Sequence, residues 1–355
     1  MKKVLFFMTD VTGGGGVQRV TSIIANNLDE EYDITILSLF SKNENSPYLW
    51  NKGITMETLF KNQFDLRLNA LKVLKYLRKF FKNNDDFDVV IADGIGLSSF
   101  LYISTLRYKF VKIAWEHQSF YFGKKFGLEW IGKQIAGKYF DFIITLTKRD
   151  QAYYLKQNFN AEVIQIYNPL VNKSVKIADY SSKKIISVGS LIDQKGFDYA
   201  IDIAKIIFKD YSDWQWDIWG TGKRHDYLQE LIKENNLENH IFLRGFNSNI
   251  YSEYGNYSIY AMTSRHEGFP MVLLEAKSVG LPIVSFDIDC GPSEIIFNDI
   301  NGYLIENMNI FEYSKKLTKL MEEENRRKEF SKNMLKENKE FSLDFIISKW
   351  KKILK

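Results

Sequence analysis

At 355 residues the chain is longer than a single hydrophobic core usually grows, so two domains are expected. Its 45 % hydrophobic and 26 % charged residues are ordinary for a globular protein. A formal charge of +4 is too small to indicate nucleic acid, and 22 Lys/Arg against 17 Asp/Glu in residues 1–170 put the basic excess in the first half. The single cysteine, Cys290, excludes an intramolecular disulfide and a cysteine-based metal cluster, and it fits a reducing cytoplasm.

In chain order, 3–8 reads as a buried strand. Its apolar run of five residues is short for a signal sequence. A glycine-rich turn follows at 11–16, then a helix over 17–28 with apolar residues at 17, 20, 23, 24 and 28, then a strand at 34–39. This order opens a doubly wound α/β domain. Further strands are expected at 89–92, 112–115, 142–146 and 163–167. The polar stretch 172–184 reads as a linker, after which the pattern restarts. Strands are expected at 184–188, 214–219, 241–243, 259–262 and 282–286, with helices at 199–208 and 226–235. An amphipathic helix at 343–354 follows a long charged stretch. No run of about 18 apolar residues offers a transmembrane helix.

Residues 67–82 hold six basic residues and no acid, with Ala70, Val73, Leu74, Leu77 and Phe81 on one helical face. That face can lie in the domain core, or the helix can rest on an anionic membrane. Both hold if only the lysines touch lipid. Lys124, Lys125, Lys133 and Lys138 add to the basic balance of the same half.

Three segments carry chemistry. Gly13 to Gly16 form a strand-to-helix turn where backbone amides can approach a phosphate, or a tight turn with no ligand. In 188–196, Lys195 sits in a glycine-bounded loop after the second domain's first strand, and it can reach an interdomain cleft to neutralise a diphosphate or stay a solvated surface lysine. In 264–276, Glu267 lies in a loop and Glu275 on the next helix. Gly268, Phe269, Pro270 and Met271 begin that helix and offer backbone amides at its start. Glu275 stands in an apolar stretch and wants a partner, either ribose hydroxyls or a nearby Arg or Lys.

The Glu267-to-Glu275 spacing, continuous with E-G-F-P-M-V-L-L-E-A, resembles the E-x7-E motif of family 4 glycosyltransferases. So do the N-terminal glycine loop, Trp115-Glu116-His117, Asn168-Pro169, Gln194-Lys195-Gly196 and Trp219-Gly220-Thr221-Gly222. Arg244-Gly245-Phe246, Gly280-Leu281-Pro282 and Cys290-Gly291-Pro292-Ser293-Glu294-Ile295-Ile296 extend the resemblance over essentially the whole chain. It implies the GT-B fold, two Rossmann-like domains facing each other across a cleft. The expected divisions are an acceptor-side domain at 1–170, a nucleotide-sugar domain at 171–335 and a helix at 336–355 packing back on the first. The function implied is retaining transfer of a hexose or N-acetylhexosamine, of galactose, GalNAc or glucose type, from a UDP-sugar to a saccharide acceptor. A lipid-linked acceptor and surface-glycan biosynthesis are implied with it.

Carried over by motif, Lys195 would contact the diphosphate and Glu275 the ribose, with Arg244, Gly245 and Phe246 near the nucleobase. Glu267 and the amides of 268–271 would contact the donor sugar, and His117 would line its pocket. Gly14, Gly15 and Gly16 would sit against phosphates or acceptor, and Gly220 belongs to the donor loops. Where the family usually has arginine this chain has Ser190, so Lys195 stands with one cation fewer unless Arg265 or Lys223 compensates. The expected enzyme needs no metal or cofactor beyond its UDP-sugar co-substrate, although Asp287-Ile288-Asp289 has the letters of a metal motif. It would bind no nucleic acid. Its expected place is the cytoplasm, with attachment to the inner face of the cell membrane open. A UDP-sugar epimerase of the same fold and a non-catalytic binding subunit are the competing readings. A nicotinamide dehydrogenase is the weakest, because the glycine cluster lacks the dinucleotide frame.

Overall fold

The computed structural model describes residues 1–43, 45–171, 176–336 and 339–355, so 172–175 of the expected linker lie outside the described residues. The chain divides into two compact units, Met1–Pro169 with Leu343–Lys355, and Leu170–Ser342. Each is described by itself.

The first unit is built on seven parallel strands: β1 (Lys2–Asp10), β2 (Tyr32–Phe40), β3 (Thr55–Phe60), β4 (Val89–Asp93), β5 (Val111–Trp115), β6 (Phe142–Thr145) and β7 (Glu162–Gln165). Their order is β3-β2-β1-β4-β5-β6-β7. Val4 to Phe7 of β1 are fully buried, which explains the unbroken apolar run: a central parallel strand is covered on both faces. β3 escaped the sequence reading because its side chains are mostly exposed and it lies at the sheet edge, where little apolar patterning is required.

The basic helix is Ala70–Asn83, and it buries Val73, Leu77, Phe80 and Phe81 in the core of this unit. Its apolar face is thus an ordinary core face. Every lysine and arginine on it is exposed. The closing helix Leu343–Leu354 belongs to the same unit, with Trp350 against Trp115 at 4.7 Å between ring centroids and Phe6 at 6.2 Å. The expected third segment starts earlier, at 336. Phe341 stays with the second unit because its carbonyl accepts the Leu170 N–H at 2.7 Å and its ring packs on Phe269.

The second unit holds β8 (Lys184–Val188), β9 (Gln215–Trp219), β10 (Ile241–Gly245), β11 (Ile259–Met262), β12 (Ile283–Phe286) and β13 (Gly302–Ile305). These are all parallel, in the order β10-β9-β8-β11-β12-β13. β13, which opens on Gly302 at the sheet edge, was not among the expected strands. The charged stretch before 343 contains two helices, Ile310–Glu322 and Glu324–Met334.

In both sheets the strand order reverses once, between β1 and β4 and between β8 and β11. The loops leaving such a pair diverge to opposite faces, and the crevice at their carboxyl ends is where α/β sheets bind ligands. The loops so placed are 11–16 and 94–97 in the first unit, 189–196 and 263–270 in the second.

Candidate functional site

In the second unit Lys195 and Glu267, 72 residues apart, come together because β8 and β11 are neighbours. Lys195 Nζ donates to Glu267 Oε1 at 2.6 Å, and Ser264 Oγ donates to the same oxygen at 2.7 Å. The lysine loop is held by Gly196, whose φ of +61° suits glycine. A Cβ there would stand 2.1 Å from the Thr263 carbonyl, so the lysine loop lies directly on the glutamate loop. Gly220 plays the same part for the next loop, with φ +143° and room for no Cβ beside the Gly189 carbonyl. Leu191 N–H to Thr221 O at 2.9 Å and Gly220 N–H to Gly245 O at 2.8 Å complete this joining of the ends of β8, β9 and β10.

Gly268, Phe269, Pro270 and Met271 are buried and lead into the helix Met271–Ser278. Glu275 on that helix is 2 % exposed, and the Tyr254 hydroxyl donates to its Oε2 at 2.5 Å. One partner of the buried acid is therefore a tyrosine hydroxyl. Arg244 pairs with Asp217, Nε to Oδ1 at 2.9 Å, and its guanidinium lies over Phe242. Phe246 is 69 % exposed just past Gly245, an open aromatic face at the end of β10.

Ser190 is exposed on the 189–196 loop. Of the two suggested compensators, Arg265 is committed elsewhere. Its guanidinium makes a two-pronged bond to Asp198, at 2.8 and 2.5 Å, and reaches the Asp193 carbonyl. Lys223 is exposed and has no ion-pair partner among the described residues. Neighbouring Arg224 pairs with Asp193.

In the first unit His117 follows β5 and is 8 % exposed. Its Nε2 lies 2.5 Å from Asp93 Oδ1, while Thr21 Oγ1 donates to Asp93 Oδ2 at 2.7 Å. Asp93 ends β4 beside the switch point, and it fixes the ring's orientation. Sequence reasoning missed Asp93. The local signal was an acid closing a buried strand, V-V-I-A-D; its place beside His117 follows only from the register of β4 with β5, which sets Asp93 against Trp115. Gly14, Gly15 and Gly16 are exposed at the start of the helix Gly16–Leu28, whose first turn receives no side-chain cap. A Cβ on Gly14 or Gly16 would meet nothing within 4 Å, so their local packing does not demand glycine.

Among the described residues no three His, Cys, Asp or Glu side chains gather as a metal site, and no helix is long and apolar enough to cross a membrane.

Two doubly wound sheets with polar loops at both switch points define a two-domain enzyme of the GT-B class. Solved structures agree over the whole chain. TarM from S. aureus, in complex with fondaparinux, an α-GlcNAc-glycerol and UDP, superposes with a TM-score of 0.79 at 17 % identity, covering 100 % of both chains. HepE from Anabaena, with UDP and glucose, gives 0.80 at 17 % identity, covering 99 % of this chain and 98 % of that one. Residues 172–337 match the family of glycosyl transferases, group 1. An uncharacterized glycosyltransferase of Haemophilus influenzae is 31 % identical across 100 % of both chains. The amylovoran biosynthesis glycosyltransferase AmsD of Erwinia amylovora is 28 % identical, again over 100 % of both. The chain belongs to the glycosyl transferases, group 1.

Proposed function

We propose that the enzyme is a family 4 glycosyltransferase that moves a hexose or N-acetylhexosamine from a UDP-sugar to a saccharide acceptor, with retention at the anomeric carbon. The observation that carries this reading is the Lys195–Glu267 pair at the β8/β11 switch point, with exposed Phe246 on the same edge of the sheet. A lysine there meets the charge that develops on a departing diphosphate, and fixed donors are most effective on developing charge. Lys195, Lys223 and loop amides do this without a metal. Glu267 holds the transferred sugar's hydroxyls, Glu275 the ribose, and Phe246 offers a stacking face to the base. In the first unit, Asp93 fixes the ring of His117, which the family resemblance assigns to the donor sugar.

Retention through a covalent intermediate would need a nucleophile and an acid/base carboxylate about 5 Å apart, and the sequence motifs offer Glu267 alone as a candidate. Same-face displacement is therefore favoured, with the departing phosphate taking the acceptor's proton. The relatives' names supply the setting. They include AmsD and a lipopolysaccharide 1,6-galactosyltransferase of Salmonella typhimurium, which is 26 % identical over 85 % of each chain. On this reading the acceptor belongs to a bacterial surface glycan and is lipid-linked. Proton NMR of the product formed from an α-linked UDP-hexose should show an α linkage; a β product would reject retention.

A lipid-linked acceptor also gives the basic helix a task. Arg67, Lys75, Lys79 and Lys82 are exposed there beside Leu68 and Leu71, which are 87 % and 84 % exposed. Apolar side chains amid lysines suit an anionic bilayer surface. Co-sedimentation with vesicles containing 30 % phosphatidylglycerol is expected, falling severalfold between about 50 and 500 mM salt as screening shortens. Equal sedimentation with neutral vesicles would remove this assignment.

A further inference from the structure

The strap 116–122, which carries His117 away from β5, is clamped by three buried charged side chains that the transfer chemistry above does not use. Glu116 is 1 % exposed, Lys133 4 % and Asp150 0 %. Glu116 Oε1 accepts the Gln118 N–H at 3.0 Å, and Oε2 accepts the Tyr154 hydroxyl at 2.7 Å. Lys133, on the helix Leu128–Tyr139, donates to the carbonyls of Phe120 at 2.5 Å and Phe122 at 2.9 Å, and its Nζ lies 3.9 Å from Glu116 Oε2. Asp150, on the helix Lys148–Leu155, accepts the Phe120 N–H at 2.8 Å. The strap is therefore fixed from two helices, and Glu116 ties its first turn, immediately around His117.

We propose that Glu116 is a positioning residue, whose carboxyl group, held by Tyr154 and the Gln118 amide beside Lys133, fixes the backbone that carries His117. The proposal rests on the reading of His117 given above. Both groups bonded to Glu116 are donors, and a carboxyl oxygen accepts the Gln118 amide in either protonation state, while the Tyr154 hydroxyl can donate or accept. Burial pushes Glu116 up to about 7, with Lys133, Tyr154 and the Gln118 amide pulling it down and Asp150 adding to the rise. An opened strap would return Glu116 to an exposed glutamate, already ionised near neutrality, so the closed strap holds the proton more tightly and is favoured as the pH falls through about 7.

The test compares wild type with Glu116→Gln and Tyr154→Phe by amide hydrogen exchange of a peptide covering 116–122, corrected for the intrinsic rate at each pH. Protection in the wild type is expected to rise about 10-fold from pH 8 to pH 6, as the closed strap takes up its proton. In Glu116→Gln, which stays neutral, it should be independent of pH; in Tyr154→Phe it should be reduced at both pH values. Turnover should follow: wild-type kcat falls above neutrality as the strap loosens, whereas Glu116→Gln lacks that fall, with donor KM within about twofold. Unchanged pH dependence of protection in Glu116→Gln overturns the clamp, and an unchanged pH dependence of kcat in that variant overturns its link to catalysis. If the wild type turns over no donor, the glycosyl-transfer reading fails by itself, and the exchange data still decide the clamp.

Discussion

Replacing Lys195 with alanine is expected to lower kcat for sugar transfer about 10²–10³-fold, the usual cost of removing one fixed donor from a developing negative charge. The loss should be at the high end because the neighbourhood holds little to substitute. Ser190 carries no charge, and Arg265 is tied to Asp198 and to the Asp193 carbonyl. The lysine stem lies along Gly189, where a Cβ would sit 3.2 Å from its methylenes. Lys195→Arg should therefore restore only part of the rate, since its broader head must follow the same narrow path. Steady-state release of UDP at saturating acceptor measures both variants. A Lys195→Ala kcat within tenfold of wild type would remove the lysine from its assigned role.

Glu267→Gln is the second large effect, with kcat expected to fall about 10–100-fold while the protein stays folded. Glutamine keeps the size of the buried side chain and can still accept from Ser264. It gives up the charge that holds Lys195 and that supports the sugar as the glycosidic bond breaks. Because the two residues share one hydrogen bond, the Lys195→Ala/Glu267→Gln double variant should lose less than the product of the single losses. Urea melts of all three variants separate this coupling from unfolding. Near-normal turnover in Glu267→Gln would show that the carboxylate serves packing alone.

Much of this was legible in the chain. The central strands of both sheets announce themselves because a parallel strand covered on both faces must be apolar throughout, as in Val4 to Phe7. β3 was silent for the opposite reason. The helix Glu324–Met334 was hidden in a charged stretch because it buries only Arg327, Phe330, Ser331 and Met334. Lys195, Glu267, Glu275 and His117 could be picked out because loop glycines and motif spacing mark them locally.

Their partners could not be read so easily, since each comes from a different strand or helix. Asp93 reaches His117 only through the pairing of β4 with β5, and Tyr254 reaches Glu275 across 21 positions. Lys133 looked like one more surface lysine in a basic half. The fold buries it, and its three donors are spent on the strap carbonyls. Local pattern thus locates the groups proposed to meet a ligand, whereas the groups that hold them depend on strand order.

The most direct test of the account is UDP release from a panel of UDP-sugars, with wild type beside Lys195→Ala and a saccharide acceptor present or absent. Acceptor-stimulated release from one UDP-hexose or UDP-N-acetylhexosamine, lost in the variant, is the predicted result. UDP binding without release from any donor, or release that survives the loss of Lys195, would contradict it.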